Sequence, residues 1–220
     1  MTVDLRLYAL LDPEHAGGHA LADLARLVAQ GGATLVQLRD KCSETRRMIE
    51  HARAIKAALA PFNVPLLIND RVDVALACGA DGVHVGQDDM RAEDARRLLG
   101  PKAIIGQSIK TVALANAAPL DVLDYAGVGG VYATTSKDNP NAPIGVAGLR
   151  DIVAAFRARK HDFPVVGIAG IDAGNAAPVI EAGAGGVAVI SALSMQGDPQ
   201  AAARELRGIV DRVLAKRGAR

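Results

Sequence analysis

The 220-residue sequence is poor in aromatic residues and has no tryptophan: Phe, Trp and Tyr together make up 3% of it. Charge of one sign is not in excess either, because 25 Lys and Arg residues stand against 24 Asp and Glu residues, a net charge of +1. A nucleic-acid or membrane partner usually requires a basic patch or a run of like charges. These shortages therefore argue against both kinds of partner.

Cysteines and long apolar runs are also scarce. Cys42 and Cys78 have no C-x-x-C spacing, so they indicate reduced thiols and no zinc cluster or redox motif. No run reaches the about 18 apolar residues of a membrane helix, and acidic and basic residues stand where a signal peptide has its apolar core. We expect a cytoplasmic protein with a single domain over residues 1–220, since this length leaves little room for a second domain.

What the sequence does contain is an alternation of short Val, Ile and Leu runs with longer alanine-rich segments. The runs are almost continuously apolar, which is typical of parallel strands buried on both faces. The longer segments carry apolar residues three and four positions apart, as amphipathic helices do. Eight strands are predicted, at residues 5–11, 33–38, 64–68, 82–85, 103–106, 123–127, 164–168 and 186–190.

Eight strand–helix units in 220 residues leave 27.5 residues for each unit. This is close to the minimum for a strand, a helix and two short loops, so the sequence predicts an α/β fold, a (β/α)8 TIM barrel. An internal echo supports it, because residues 79–85 resemble residues 183–189, four units further on, and both mark a helix-to-strand turn. A doubly wound open sheet ranks second, since no G-x-G-x-x-G opens a helix after the first strand.

Polar and charged residues collect just after the predicted strands. In a (β/α)8 barrel these strand ends meet at one rim, where active sites are built. The cations Arg39, Lys41 and Lys137 and the carboxylates of Asp70 and Asp89 are therefore predicted to converge there. Because Mg2+ usually takes one or two protein carboxylates plus phosphates and water, this set indicates a metal-bound diphosphate.

A second anion site is predicted where strands seven and eight end. Gly170 follows strand seven and Ile190–Ser191 follows strand eight, at positions where such barrels commonly bind a phosphate through backbone N–H groups. No His, Cys or Glu at the rim stands out as a base or nucleophile. The set therefore favours stabilisation of a leaving group over proton abstraction.

Six spaced blocks stand out over roughly residues 5–195. They read Gln37-Leu38-Arg39-x-Lys41, Asn69-Asp70, Asp81-Gly82-Val83-His84-x-Gly86-Gln87-x-Asp89, Gly106-x-Ser108, Thr134-x-Ser136-Lys137 and Gly170-Ile171. This pattern resembles the signature of the thiamine-phosphate synthase family, and six blocks in register are far more specific than one. Two departures are Gly129-Gly130 in place of the usual Gly-Pro, and Ala169-Gly170-Ile171 in place of the common Gly-Gly-Ile.

The resemblance implies a transferase that joins 4-amino-5-hydroxymethyl-2-methylpyrimidine diphosphate to a thiazole phosphate, plain or carboxylated, and releases diphosphate. The residues implied to bind the pyrimidine diphosphate are Gln37, Leu38, Arg39, Asp40, Lys41, Asn69, Ser108 and Lys137. Those implied to be catalytic are Arg39, Lys41, Ser108 and Lys137. Those implied to bind the thiazole phosphate are Thr134, Thr135, Ser136, Gly170, Ile190 and Ser191.

The resemblance also implies one Mg2+ per subunit, held by Asp70 and Asp89. In the implied mechanism the diphosphate leaves first, and the thiazole nitrogen then attacks a pyrimidinylmethyl cation. That nitrogen carries no proton to remove, which explains why no general base is found at the rim. The cations then act mainly on the charge of the departing diphosphate.

Several of these residues have a structural alternative. Helix capping is the alternative for Asp70, Asp88, Asp89, Ser108 and Ser191, and for Asp88 we prefer it. His84 lies inside an apolar strand and is interpreted as a hydrogen-bonded core residue. Gly17 and Gly18 separate His15 from His19, so these two histidines are interpreted as surface turn residues.

Two other functions stay open at this point. One is a thiazole tautomerase-like isomerase, against which the retained cations and carboxylates argue. The other is a non-catalytic phosphate-binding barrel, since fold alone does not determine function. The oligomeric state is open as well: small barrels often form homo-oligomers, but no exposed apolar helix face locates an interface.

Overall fold

The structure, a computed structural model, describes residues 3–136 and 142–218. Within these ranges the chain forms eight parallel strands that close into one barrel in sequence order, with β1 also pairing with β8. The strands are β1 Leu7–Leu11, β2 Leu35–Leu38, β3 Leu66–Asn69, β4 Gly82–Val85, β5 Ile104–Ile109, β6 Tyr125–Gly129, β7 Val165–Ile168 and β8 Gly186–Val189. The predicted (β/α)8 barrel is confirmed.

Helices alternate with the strands and cover the outside of the barrel. Those in the described ranges are α1 Leu21–Gln30, α2 Thr45–Leu59, α3 Val72–Cys78, α4 Ala92–Leu99, α5 Val112–Ala117, α6 Gly145–Arg159, α7 Ala176–Glu181, α8 Ser191–Ser194 and α9 Pro199–Gly218. Two 3-10 turns, Pro13–His15 and Ala60–Phe62, complete the set. Among the helices of the described ranges, none combines the length and the apolar character that crossing a membrane requires.

The eight predicted strands are all present, with shifted ends. β5 continues to Ile109 because it pairs with β6 as far as Val128, so Ser108 lies within a strand and not beyond it. β6 likewise extends to Gly129 through its pairing with β7. A strand ends where its neighbouring strand no longer offers hydrogen-bond partners. The apolar run alone therefore does not predict the end of the strand.

Side chains of each strand alternate between two buried layers. The larger layer lies between the barrel and the helices and contains, for example, Val36 and Leu38 of β2. The smaller layer lies inside the barrel, where Leu10, Leu35 and Tyr125 contribute to it. Because β2 is buried on both faces, its apolar run does not alternate with polar residues, as the sequence predicts.

The echo of residues 79–85 and 183–189 corresponds to two equivalent helix-to-strand turns. Gly79 ends α3 in the left-handed conformation, with φ 66°, and Gly183 has φ 114° before β8. Gly82 and Gly186 then begin strands so close to a neighbour that a Cβ would lie 1.8 Å from Ile104 O and 1.7 Å from Leu5 O, respectively. Glycine is therefore needed twice in each copy, for the turn and for the strand contact.

The predicted helix cap at Asp88 is wrong, and the capping alternative for the other four residues is not observed either. The helices after β3, β4 and β8 begin behind Arg71, Arg91 and Ile190, so Asp70, Asp88, Asp89 and Ser191 do not occupy N-cap positions. Ser108 cannot cap a helix from within β5, and α5 is capped instead by Thr111, whose side chain accepts from Leu114 N at 3.1 Å. The loops run further before each helix than the sequence pattern indicates.

Candidate active site

A cavity of about 550 Å³ opens where the strands end at their carboxyl side. Tyr8, Leu10, Val166 and Ala188, which belong to the inner layer of the barrel, close it from below. The predicted site residues that line it are Gln37, Arg39, Asn69, Ser108, Thr134, Thr135, Ser136, Gly170, Ile190 and Ser191. Predicted site residues that are up to 154 positions apart in the sequence, Gln37 and Ser191, thus surround one space, as parallel strand ends in a closed barrel require.

Asp70, Asp89 and Lys41 lie next to one another on the rim, outside the residues that line the cavity. Lys41 Nζ forms an ion pair with Asp70 Oδ2. Asp89 Oδ2 accepts a hydrogen bond from Gly86 N at 2.7 Å, which closes the turn after β4. Burial, together with the neighbouring Asp70 carboxyl group, raises the pKa of Asp89.

Such a carboxylate pair fits a divalent cation that prefers oxygen ligands. The Asp70 carboxyl group opposes the ionisation of Asp89, and a cation held by both side chains would remove this conflict. No group of three or more His, Cys, Asp or Glu side chains in the described ranges could hold a metal. Two protein carboxylates, with substrate phosphate and water completing the shell, are what Mg2+ commonly uses.

Arg39 reaches the cavity from the end of β2 and is held by an acid that sequence reasoning missed. Its Nη1 pairs with Oδ2 of Asp12, which follows β1 and is 1% exposed. Asp12 Oδ1 also accepts from Glu14 N at 3.0 Å, so the carboxylate is itself held by the turn behind it. β1 and β2 are adjacent strands, which is why their two ends meet.

Asp40 and Leu38 do not line the cavity. The Asp40 carboxylate accepts from Ser43 N at 2.8 Å and Cys42 N at 3.2 Å. Burial alone would raise the pKa of Asp40, but these N–H groups and His51 outweigh it and lower the pKa. Asp40 therefore shapes the loop after β2, and the Leu38 side chain belongs to the outer layer.

Beneath the cavity, five polar side chains form one hydrogen-bonded chain. Gln37 Nε2 donates to Tyr8 Oη, Tyr8 Oη lies 2.9 Å from Tyr125 Oη, and Tyr125 Oη lies 2.8 Å from His84 Nδ1. His84 Nε2 lies 2.9 Å from Ser108 Oγ. The sequence interpretation of His84 as a hydrogen-bonded residue is thus confirmed, but it also lines the cavity, which that interpretation missed.

Two glycines make room for this chain. A Cβ on Gly106, in β5, would lie 2.0 Å from the Tyr125 ring, and a Cβ on Gly127, in β6, would lie 2.9 Å from the His84 ring. In the strand register His84 is the partner of Gly106, and Gly106 is the partner of Tyr125. Large rings on β4 and β6 therefore meet across a strand that has no side chain at that level.

The opposite end of the cavity is built from small polar groups and bare backbone. Ser136 Oγ lies 3.2 Å from Ser191 Oγ, and Ser136 N donates to Thr134 Oγ1 at 3.2 Å. Gly170, after β7, has φ 65°, and a Cβ there would lie 2.3 Å from Ala133 O. Ala169 beside it has φ 80°, so alanine keeps the left-handed conformation of the usual glycine.

Two more lysines belong to the account of the site. Lys110 was not predicted from the sequence, and Lys137 was predicted but cannot be compared with the structure. Lys110 lines the cavity from just beyond β5. The sequence could have indicated Lys110, because it directly follows a strand, as the predicted rim residues do. Lys137, predicted to be catalytic, lies outside the described residues. His15 sits in the 3-10 turn, with Nδ1 3.6 Å from Asp12 Oδ1, and no contact joins it to His19 in the structure described here.

Comparison with known proteins gives consistent matches. A family model described as thiamine monophosphate synthase matches residues 7–193. Thiamine-phosphate synthase from Agrobacterium fabrum is 50% identical over 215 residues, 98% of each chain. The thiamine-phosphate synthase from Albidiferax ferrireducens is 49% identical over 210 residues, covering 95% of this chain and 93% of its own.

Solved structures agree with these matches. Thiamine phosphate pyrophosphorylase from Pyrococcus furiosus has a TM-score of 0.83 and 36% identity, covering 96% of this chain and 98% of that chain. (S)-3-O-geranylgeranylglyceryl phosphate synthase from Thermoplasma acidophilum has a TM-score of 0.68 at 14% identity, over 94% of each chain. The second likeness concerns the fold alone.

Proposed function

The chain belongs to the thiamine monophosphate synthase family, and we propose that it joins 4-amino-5-hydroxymethyl-2-methylpyrimidine diphosphate to a thiazole phosphate, giving thiamine phosphate and diphosphate. It is an enzyme, a transferase of thiamine biosynthesis, and the resemblance drawn from its six sequence blocks is confirmed. The observation that carries the proposal is one cavity that joins Gln37, Arg39 and Ser108 to the Ser136–Ser191 end, with a carboxylate pair on its rim.

The pyrimidine ring is proposed to lie above the buried polar chain. Gln37, Asn69 and Ser108 line this part of the cavity and offer an amide, a second amide and a hydroxyl. These groups match a ring that carries nitrogen acceptors and an amino donor. Tyr8 and Leu10 beneath them supply an apolar and well-packed base, which limits access of water to the reacting carbon.

The diphosphate is proposed to lie towards the rim, where the cations are. Arg39 is held in place by Asp12, so its guanidinium is oriented before the substrate arrives. Lys41 is half-exposed and, among the described residues, is paired only with Asp70, so its ammonium group can contact a phosphate oxygen. Lys110 lines the cavity on the far side, and Lys137 is proposed to join the set on sequence grounds.

Asp70 and Asp89 are proposed to hold Mg2+. When bound, this ion supplies positive charge against the negative charge that gathers on a leaving diphosphate. The raised pKa of Asp89 supports the assignment, because within residues 3–136 and 142–218 the pair has no counter-charge of its own besides Lys41. Arg39 and Lys41 stabilise the same charge from the protein side.

The thiazole phosphate is proposed to occupy the other end of the cavity. Thr134, Ser136 and Ser191 offer hydroxyl donors, and the backbone at Gly170 and Ile190 lines the same end. The thiazole nitrogen attacks with its own lone pair, so this arrangement needs no general base. The chain's part is to hold that nitrogen near the pyrimidinylmethyl carbon and to exclude water.

The test is product formation, measured by mass spectrometry with both substrates, with and without Mg2+. We expect thiamine phosphate and diphosphate only when the metal is present. Asp70→Asn should reduce turnover about 100-fold or more, because the leaving group loses its counter-charge. Asp88→Asn is the matched control: it is an exposed neighbouring acid outside the cavity lining and should keep wild-type turnover.

Other outcomes would contradict the proposal. Near-normal coupling by Asp70→Asn would remove the carboxylate pair from the mechanism. Conversion of a thiazole isomer without coupling would favour an isomerase, and silence in both assays would favour a binding role. The plain and the carboxylated thiazole phosphate are supplied separately, so that the same assay identifies the acceptor.

We also propose that the enzyme acts in the cytoplasm and takes only small-molecule substrates. Two cysteines, Cys42 and Cys78, are free thiols in the structure, as expected in a reducing compartment. A homo-oligomer remains a proposal from the size of the barrel alone. Sedimentation of the purified protein measures the oligomeric state directly.

A further inference from the structure

The chain of five polar side chains beneath the cavity has a defined hydrogen-bond direction. Gln37, Tyr8, Tyr125 and His84 are each at most 7% exposed, so along this chain each group meets its protein neighbours. The rings are also in contact: the Tyr8 and Tyr125 ring centroids are 5.8 Å apart, and those of His84 and Tyr125 are 5.5 Å apart. Four of the five side chains, those of Gln37, Tyr8, His84 and Ser108, also line the cavity.

The direction follows from counting protons. Burial raises the pKa of both Tyr8 and Tyr125, so each phenol keeps one proton and donates once. Tyr8 accepts from the Gln37 amide nitrogen, which cannot accept in return, so the Tyr8 proton goes to Tyr125. Tyr125 must then donate to His84 Nδ1.

The same logic sets the state of the two ends. A neutral His84 that accepts at Nδ1 carries its proton on Nε2 and donates it to Ser108 Oγ. The Ser108 hydroxyl proton is then free to point into the cavity as a donor. At the other end the Gln37 amide has its nitrogen turned to Tyr8, so its carbonyl oxygen is the atom left for a ligand.

The two ends are therefore coupled. If Gln37 turned its nitrogen to the ligand, its oxygen would need a proton from Tyr8, and every bond along the chain would reverse. His84 would then carry its proton on Nδ1, and Ser108 would donate to Nε2 and offer the ligand only an acceptor. One end cannot change its hydrogen-bond character without the other.

We propose that Tyr8, Tyr125 and His84 are positioning residues whose directional hydrogen bonds make Gln37 an acceptor and Ser108 a donor, so that the enzyme selects an amino-pyrimidine over an oxo-pyrimidine. This inference rests on the proposed function for its ligand. The exocyclic amino group donates to the Gln37 carbonyl, while a ring nitrogen or phosphate oxygen accepts from Ser108. An oxo group in place of the amino group would face the Gln37 carbonyl as a second acceptor.

The test compares binding of two probes by isothermal titration calorimetry with Mg2+ present: the pyrimidine diphosphate and its analogue with an oxo group in place of the amino group. Wild type should bind the amino compound about tenfold or more tightly, since a mismatched buried polar pair costs at least that much. Tyr125→Phe breaks the chain in the middle, so Gln37 can turn without affecting Ser108. We expect its preference to fall at least about fivefold.

Tyr8→Phe is the second variant and should act in the same direction, which keeps the test valid if one variant folds poorly. Tyr132→Phe is the matched control, because its hydroxyl donates to Asn175 O at 3.3 Å, outside the chain. It should keep the wild-type preference. A purely structural role for the buried hydroxyls predicts equal weakening of both probes, and an unchanged preference in both chain variants would overturn the proposal.

A second measurement does not depend on the ligand. 15N NMR of labelled histidine, with the His84 signals assigned by their loss in His84→Gln, should show the Nε2-protonated tautomer in wild type and a mixture in Tyr125→Phe. The Nδ1-protonated tautomer in wild type would overturn the direction. Failure of wild type to bind either probe would instead count against the proposed function, while the tautomer would still test the chain.

Discussion

Arg39 enters the cavity with its guanidinium already paired to Asp12. The side chain of Asp12 is 1% exposed and that of Arg39 is 17% exposed, so the pair is largely removed from water. The main effect of such a buried ion pair is to fix the position of the guanidinium. If one partner is removed, the other charge is left unpaired and is no longer held in place. Asp12, which directly follows β1, thus positions Arg39, although it belongs to none of the six sequence blocks.

Asp12→Asn tests this positioning. The amide keeps the size of the side chain and an acceptor for Glu14 N but loses the charge that holds Arg39. We expect KM for the pyrimidine diphosphate to rise about tenfold, the equivalent of 1.4 kcal/mol. Steady-state kinetics measure it, with Asp23→Asn as a control, since Asp23 is exposed and lies 3.7 Å from Arg26, outside the cavity lining. An unchanged KM would show that Arg39 needs no anchor.

Residue types at the rim could be predicted from the sequence, but their individual partners could not. Arg39 and Ser108 follow or end apolar runs, which marks them as rim residues in any parallel barrel. Asp12, Tyr8 and Tyr125 gain their roles from neighbours that are distant in sequence, and an apolar run gives no sign of such contacts. Ala169 is the opposite case, because the sequence alone shows that alanine replaces the usual glycine. Its backbone nevertheless has a left-handed conformation, with φ 80°.

At the scale of elements, β5 is the clearest example of what periodicity misses. Its apolar run ends near Gly106, yet the strand continues to Ile109 because β6 offers hydrogen-bond partners that far. Helix starts were missed for a related reason. The acids after β3 and β4 satisfy local turn or rim contacts, so the helices begin further along, at Val72 and Ala92.

Gly106→Ala tests how strands and rings fit together. The added Cβ would lie 2.0 Å from Cζ of Tyr125, which is fully buried and cannot move away cheaply. We expect the free energy of unfolding to fall by about 1–3 kcal/mol or more, as overpacking of a core does. Urea denaturation measures it. Gly197→Ala is the control, because no atom of the described part of the chain lies within 4 Å of a Cβ at this position. Equal stability of the two variants would contradict the packing argument.

At the scale of the whole molecule, the two ends of the barrel have different roles: one carries the cavity and the other stabilises the fold. At the rim where strands begin, Arg96 donates to Val122 O at 2.9 Å and to Ala103 O at 2.6 Å, and pairs with Asp124 at 2.7 Å. These contacts tie together the loops that lead into β5 and β6. They lie at the end of the barrel opposite the cavity, so their contribution is to stability.

Arg96→Ala should therefore destabilise the fold without affecting catalysis. The carbonyls of Val122 and Ala103 lose their Arg96 donor, and the Asp124 side chain keeps only its bond from Ile105 N among the contacts of the described residues. We therefore expect a loss of about 2–4 kcal/mol in the free energy of unfolding, with kcat/KM unchanged below the melting transition. Thermal denaturation and steady-state kinetics are measured together. Arg97→Ala removes an exposed side chain that is paired with Asp94, and should change stability by less than about 0.5 kcal/mol. A selective loss of kcat/KM in Arg96→Ala would mean that the two rims are coupled.

The strands of this closed barrel are paired in chain order, so residues that are near in the sequence are also neighbours around the rim. Apart from Lys137, which follows β6, the proposed contacts to the leaving diphosphate and its ring come from β2 to β5, and those to the acceptor come from the loops after β6 to β8. Recombination between relatives at α5 would exchange the acceptor contacts together with Lys137 and leave the other donor contacts unchanged. The choice of acceptor can therefore evolve, or be engineered, as a block of inheritance separate from the machinery that activates the donor.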